Sequence, residues 1–331
     1  MFSAVDRSKA RRAAAVTLWL LVTAAAAAAM VAAMVPVGPD WLGAAGSVGV
    51  ATTFTWGLAS RTGGRPIVFG ALACAMAASA AWVGPDQLRT GGAVLIAAVS
   101  AVFAVMVTVP TKGFLGAVRE CVIALVISAI GALAVVGLEP TIRVARFEYG
   151  AAGLALVGIF ILVSRLGAGL HGLGRRGLII VIVGAAVLAV GLLYAELLRT
   201  YSTTMVVDTL LSWVSWSREE LGAFPRPMAA ALGFPALAYG VHMRARRRQG
   251  WWVCAFGVAG TVSVATVLAN PSTALQEAGL SVVYGLVVGL VIGFLLIRLD
   301  LALTGSRGKR SREAERDAAV RPEPARTAPL L

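Results

Sequence analysis

Long apolar runs follow one another along this chain with only short polar breaks between them, covering about 13–35, 41–60, 66–83, 92–109, 116–138, 149–166, 177–198, 227–242, 251–268 and 274–303. A helix needs about 20 mostly apolar residues to cross the hydrocarbon of a bilayer. In lipid every backbone polar group has to be satisfied inside its own element, which helices achieve. Pro36, Pro39, Pro85 and Pro110 punctuate the runs, and Gly63-Gly64 and Gly91-Gly92 mark turns between them. The pattern predicts an all-α, polytopic integral membrane helix bundle of about ten transmembrane helices.

One stretch breaks the pattern. From 202 to 221 the chain reads STTMVVDTLLSWVSWSREEL. Val206, Val207, Leu210, Leu211, Trp213 and Val214 lie on one side of a helical wheel, with Asp208, Ser212, Ser215 and Glu219 mostly on the other. This is the signature of an amphipathic helix lying along the outer interface, with Trp213 and Trp216 at headgroup depth.

Composition agrees. The 331 residues are 59% hydrophobic and 14% charged, with a mean hydropathy of +0.84, where a soluble domain carries about 25% charged residues. The net charge of +13 points to nucleic acid only when it is gathered on a folded soluble face. Here it sits in short loops and a tail, which makes anionic lipid headgroups its partner and leaves no case for nucleic acid.

Lys and Arg near span ends are retained on the cytoplasmic side. With the N-terminus inside, 23 of the 29 basic residues fall in cytoplasmic segments, and the outer loops keep only Arg89, Arg143, Arg146, Arg199, Arg218 and Arg226. The expectation is a cell-membrane protein, N-in and C-in. It has a basic cytoplasmic N-terminus over 1–12, a transmembrane domain over 13–303 and a disordered basic cytoplasmic tail over 304–331. Arg298, Arg307, Lys309, Arg310 and Arg312 are placed against lipid headgroups. The first run exceeds the 7 to 15 residues of a usual signal-peptide core, so it reads as a span.

Ionisable groups at span depth cost about 2.5 to 3.5 kcal/mol on insertion scales and need a reason to be there. Glu120 heads a stripe of Ala124, Ser128 and Ala132, four residues apart. One reading puts it at the interface beside Arg119 and Lys112, and the other makes it a coupling carboxylate facing a polar cavity. Thr52, Thr53 and Thr55 either bond back to their own helix or line a substrate path. Glu277, Ser281, Gly285, Gly289 and Gly293 form a second stripe. Its small members are a helix-packing surface, for which the 116–138 helix is the expected partner.

Cys74, Cys121 and Cys254 lie singly inside apolar runs, and His171 and His242 stand alone in or beside basic loops, so no metal site or cofactor is expected. GxSxG with a usable histidine, HExxH and GxxxxGK[ST] are absent. Glu219-Glu220 resembles the paired glutamates of intramembrane CAAX-type proteases, but the arginine spacing differs and the spans supply no histidines. A transporter or permease for a small molecule or a lipid-linked precursor is the first functional reading. The alternative is a non-catalytic scaffold or envelope-assembly partner, binding another membrane protein or a second copy. An outward-facing lipid-modifying enzyme using Asp40 is a third.

Overall fold

A computed structural model describes residues 4–35, 37–141, 143–166, 204–245, 251–317 and 323–330, together with five single positions between 182 and 193. Every described element is helical: α1 (Ala4–Met34), α2 (Trp41–Arg61), α3 (Pro66–Trp82), α4 (Asp86–Met106), α5 (Phe114–Gly137), α6 (Val144–Arg165), α7 (Thr204–Leu221), a π-helical turn (Met228–Gly233) running into α8 (Phe234–Arg244), α9 (Trp251–Leu268) and α10 (Leu275–Asp317). Among the described residues, five segments are long and apolar enough to cross a membrane: Arg12–Met34, Asp86–Met106, Phe114–Gly137, Val144–Arg165 and Leu275–Ala302. Pro66–Trp82 and Val253–Leu268 are apolar but shorter. The protein is therefore a membrane-embedded helix bundle.

The other expected spans differ for identifiable reasons. The 41–60 run forms α2, but its glycines and the hydroxyls of Ser47, Thr52, Thr53 and Thr55 dilute its apolar character. The 227–242 run is broken. Pro235 has no N–H to offer Ala231, and the backbone N–H of Phe234 reaches back to the carbonyl of Ala229, five residues earlier. The helix passes the proline by widening into a π turn. The 177–198 run lies outside the described residues.

The core is built from small side chains. Ala93, Ala97, Ala101 and Ala104 of α4 pack near Ala117, Ala124 and Ala132 of α5, all buried. Small residues let helices approach closely where no hydrophobic force acts between them. The bulkier fill comes from Phe103, whose ring centroid lies 5.3 Å from that of Phe54 and 5.9 Å from that of Trp19. A backbone-to-backbone approach joins the π turn to α9: a Cβ added at Gly233 would lie 2.2 Å from the Cα of Gly260. Only glycine fits there.

The α10 stripe packs on a different partner from the one expected. A Cβ at Gly289 would stand 2.6 Å from the Cβ of Phe234, and one at Gly293 would stand 2.9 Å from the Cβ of Ala238. The Ser281 hydroxyl donates to the Phe224 carbonyl at 2.6 Å. The stripe thus seats the π turn and α8. The small face of α5 is turned to α4, where Gly131 meets Ser100. Contact between α5 and α10 runs through the rings of Phe114 and Phe294, 5.0 Å apart.

The tail corrects a second expectation, that of disorder from 304. Helix α10 continues to Asp317, and its sequence favours this: Lys309 and Glu313 are four residues apart and Arg312 and Glu315 three. Residues 323–330 then fold against the bundle. Arg298 holds its guanidinium 5.1 Å from the centre of the Phe294 ring. The side chains of Arg307, Lys309, Arg310 and Arg312 lie outside the described ones.

Candidate functional site

Helix α4 stops at Met106 and the chain crosses through 107–113 before α5 begins. Val107 and Thr108 are buried, so the polar groups of this crossing need partners inside the protein. Several come from α5, α8 and their neighbours. The N–H of Val109 donates to Glu120 Oε2 at 3.0 Å, and the N–H of Thr111 donates to the Val241 carbonyl at 3.3 Å. Arg61, the last residue of α2, donates through Nε to the Met106 carbonyl at 3.2 Å. A cation at a helix C-terminus also complements the helix dipole.

Glu120 is fully buried. Its Oε1 accepts from Arg119 Nη2 at 2.8 Å and from Arg326 Nη2 at 2.8 Å. Arg326 belongs to the C-terminal segment and also donates to the Val107 carbonyl at 3.3 Å. The rest of that segment is held by arginines from three helices. Arg61 Nη1 donates to the carbonyls of Ala325 and Ala328 at 2.8 and 2.5 Å. Arg12 Nη2 donates to the Thr327 carbonyl at 2.8 Å. Arg244 Nη1 meets Glu323 Oε1 at 3.2 Å, while its Nη2 donates to the Thr108 hydroxyl at 2.6 Å. The backbone N–H of Leu330 closes the seal on the Arg61 carbonyl at 2.8 Å. The start of α1, the ends of α2, α4 and α8, the start of α5 and the last residues of the chain therefore meet at one basic end of the bundle.

A second feature lies between α2, α3 and α4. It is a cleft of about 810 Å³, half open to the side and apolar along most of its lining. Phe54, Phe69, Leu72, Met76 and Leu95 line its body, and Ser79, Gln87 and Thr90 stand at the end away from Arg61. Thr55 and Ser100 also reach it, and the buried hydroxyl of Ser100 has no hydrogen-bond partner.

The sequence candidates separate between these two places. Glu120 is in the ion cluster and away from the cleft. Thr52 and Thr53 donate back to their own helix, to the carbonyls of Val48 and Gly49 at 2.7 and 2.9 Å. Thr55 faces the cleft. The cleft that Thr55 reaches does not have Glu120 in its lining. Arg61, Thr108, Arg244, Glu323 and Arg326 were not sequence candidates: the arginines entered only as orientation charges, and nothing local to 323–330 signals a docked segment.

Helix α7 forms where the amphipathic pattern stood, with Leu211, Trp213 and Trp216 exposed. It is tied to α10 by Arg218 Nε at 3.1 Å from Glu277 Oε1 and by the Tyr284 hydroxyl donating to the Leu221 carbonyl at 2.8 Å. Gly222, at φ +77°, supplies the left-handed residue that turns the chain after it. Among the described residues, no group of His, Cys, Asp and Glu is placed to hold a metal ion.

No protein-family model, curated protein or solved structure matches this chain. Its function has to be read from its own residues.

Proposed function

We propose that the protein is a multi-pass cell-membrane permease that takes an amphipathic, lipid-like molecule into the lateral cleft, a lipid-linked precursor being the class that fits best. In this reading the chain crosses the membrane about ten times and its basic end, with both termini, faces the cytoplasm. The cleft then opens in the outer half of the bilayer. The observation that carries the reading is the cleft itself. Its volume of about 810 Å³ lies in the usual range for ligand sites, about 300 to 1,000 Å³. An apolar body with polar groups at one rim matches a molecule that has a chain and a headgroup. Unlike an ordinary helix contact, the space between α3 and α4 is left unfilled, although both helices carry enough alanine and glycine to close it.

The scaffold reading relied on a free basic tail and the α7 face as docking surfaces. Residues 323–330 are engaged within the chain, while the side chains of the basic residues 307–312 lie outside the described ones.

The test is binding of a photoactivatable long-chain lipid phosphate to protein in nanodiscs, with Gly91→Trp as the blocking variant. A Cβ at Gly91 meets nothing within 4 Å, and the residue lines the cleft, so a large side chain there fills the space without displacing a helix. Val68→Trp, on the exposed outer side of α3, is the control. The reading expects Gly91→Trp to lose most crosslinking while Val68→Trp keeps it. Equal labelling of both variants sinks it.

A further inference from the structure

The basic end carries, among the described residues, more positive charge than its own carboxylates balance. Among the described residues Arg12, Arg61, Arg119, Arg244 and Arg326 converge there on the side chains or backbone of one small region, where Glu120 and Glu323 are the acids bonded to them. Glu120 is taken up by Arg119, Arg326 and the Val109 N–H. That leaves the single carboxylate of Glu323 facing Arg61 and Arg244. It meets them with one oxygen, Oε1, at 3.7 Å from Arg61 Nη2 and 3.2 Å from Arg244 Nη1. The first distance is too long for a hydrogen bond. Arg61 is only 3% exposed, and its buried Nη2 has no hydrogen-bond partner. A guanidinium nitrogen removed from water and left unbonded is costly, and here it points at an acid that only half satisfies the site.

We propose that Arg61 and Arg244 form a binding site for a phosphate group, with the Thr108 hydroxyl, whose proton goes to the Val105 carbonyl, as the acceptor that orients Arg244, and that Glu323 is its resident stand-in, carried on a displaceable C-terminal segment. A phosphate has three or four oxygens to share between two guanidinium forks, whereas Glu323 has two and meets both arginines with the same one, and arginine is the residue best matched to that geometry. Arg244 Nη2 already donates to Thr108 Oγ1 at 2.6 Å, which fixes the orientation of its fork toward the pocket. The proposal does not rest on the lateral cleft, whose polar rim is at the other end of the bundle. The phosphate is either that of a lipid headgroup at this membrane face or that of a small soluble molecule, and both present the same chemistry to the arginines.

The experiment uses the full-length chain in nanodiscs of zwitterionic lipid, titrated with inorganic phosphate and followed by calorimetry. In parallel, native mass spectrometry reads anionic phospholipid retained from nanodiscs containing phosphatidylglycerol. Glu323→Gln removes the competing charge and keeps the segment's shape. It is expected to strengthen phosphate binding, or phosphatidylglycerol retention, about tenfold, the scale of one charged hydrogen bond. Adding Arg244→Gln to Glu323→Gln is expected to abolish the gain. This second change is made in place of Arg61 because the Arg244 side chain is 27% exposed and the Arg61 side chain 2%, so the fold survives it. A gain in the calorimetric arm assigns a soluble phosphate, and a gain in the lipid arm assigns a headgroup. Equal binding by wild type and Glu323→Gln in both arms, or a gain that persists without Arg244, overturns the proposal.

Discussion

Replacing Glu120 tests whether the basic end is held together as one unit. Glu120→Ala removes the acceptor of the Val109 N–H, and an unsatisfied buried donor costs about 1 to 3 kcal/mol. It also strands Arg326, whose charged hydrogen bond at 2.8 Å belongs to a class worth about 1.5 to 3 kcal/mol. The Arg326 side chain is 27% exposed, so water recovers part of that loss and the lower end applies. Arg119, with its side chain 60% exposed, adds at most about 1 kcal/mol. The sum is about 3 to 5 kcal/mol, the usual cost of breaking a buried pair from one side. Glu120→Gln keeps an acceptor for Val109 but loses the charge, and charge-assisted bonds are about twice as strong as neutral ones, so about 1 to 2 kcal/mol is expected. The comparison value is an average interhelical hydrogen bond in a membrane protein, about 0.6 kcal/mol. Unfolding of the purified protein in mixed micelles, followed by tryptophan fluorescence, orders the three proteins. The cycle of Glu120→Gln with Arg326→Gln is expected to give a coupling of at least about 0.5 kcal/mol. An Ala variant within about 0.6 kcal/mol of wild type, or zero coupling in the cycle, would refute the reasoning.

The α10 stripe gives a sharp contrast: Gly289→Ala meets Phe234 and should destabilise by about 1 to 3 kcal/mol, while Gly279→Ala, with nothing within 4 Å, should be neutral or stabilising by up to about 1 kcal/mol. Equal unfolding midpoints for the two would contradict the packing described. At the Gly233–Gly260 crossing, Gly260→Ala should lower folded yield in detergent more than Gly153→Ala, where added volume meets open space; size-exclusion profiles decide. For α7, shallow-brominated lipids should quench the fluorescence of Trp213 and Trp216 more strongly than deep-brominated ones, read as the difference between wild type and a Trp213→Phe, Trp216→Phe variant. A C-terminal fusion to a reporter that fluoresces only in the cytoplasm should be bright, and a dark, folded fusion would reverse the proposed orientation.

The membrane class was legible from the pattern of apolar runs, because bilayer thickness and backbone hydrogen bonding act on length and composition alone. The amphipathic helix was legible for the same reason: its two faces are written at helical spacing around Trp213 and Trp216. Glu120 stood out in the sequence because a carboxylate in an apolar run is rare. Its pairing with the adjacent Arg119 was one of the two readings the sequence offered, but the Val109 N–H and Arg326 were not legible, the latter lying more than two hundred positions away.

The stripe of Ser281, Gly285, Gly289 and Gly293 marked a packing surface by its spacing. Small residues carry no information about which helix they receive. The choice of the π turn and α8 over α5 follows from Pro235 widening the helix and from α5 having spent its own small face on α4. The docked C-terminus is the clearest case of tertiary decision. As a string, 323–330 is short, polar and proline-flanked. Its order comes from the guanidinium groups of Arg61 on α2 and Arg244 on α8, which keep donors free for it after bonding the Met106 carbonyl and the Thr108 hydroxyl, and that arrangement exists only once the helices have assembled.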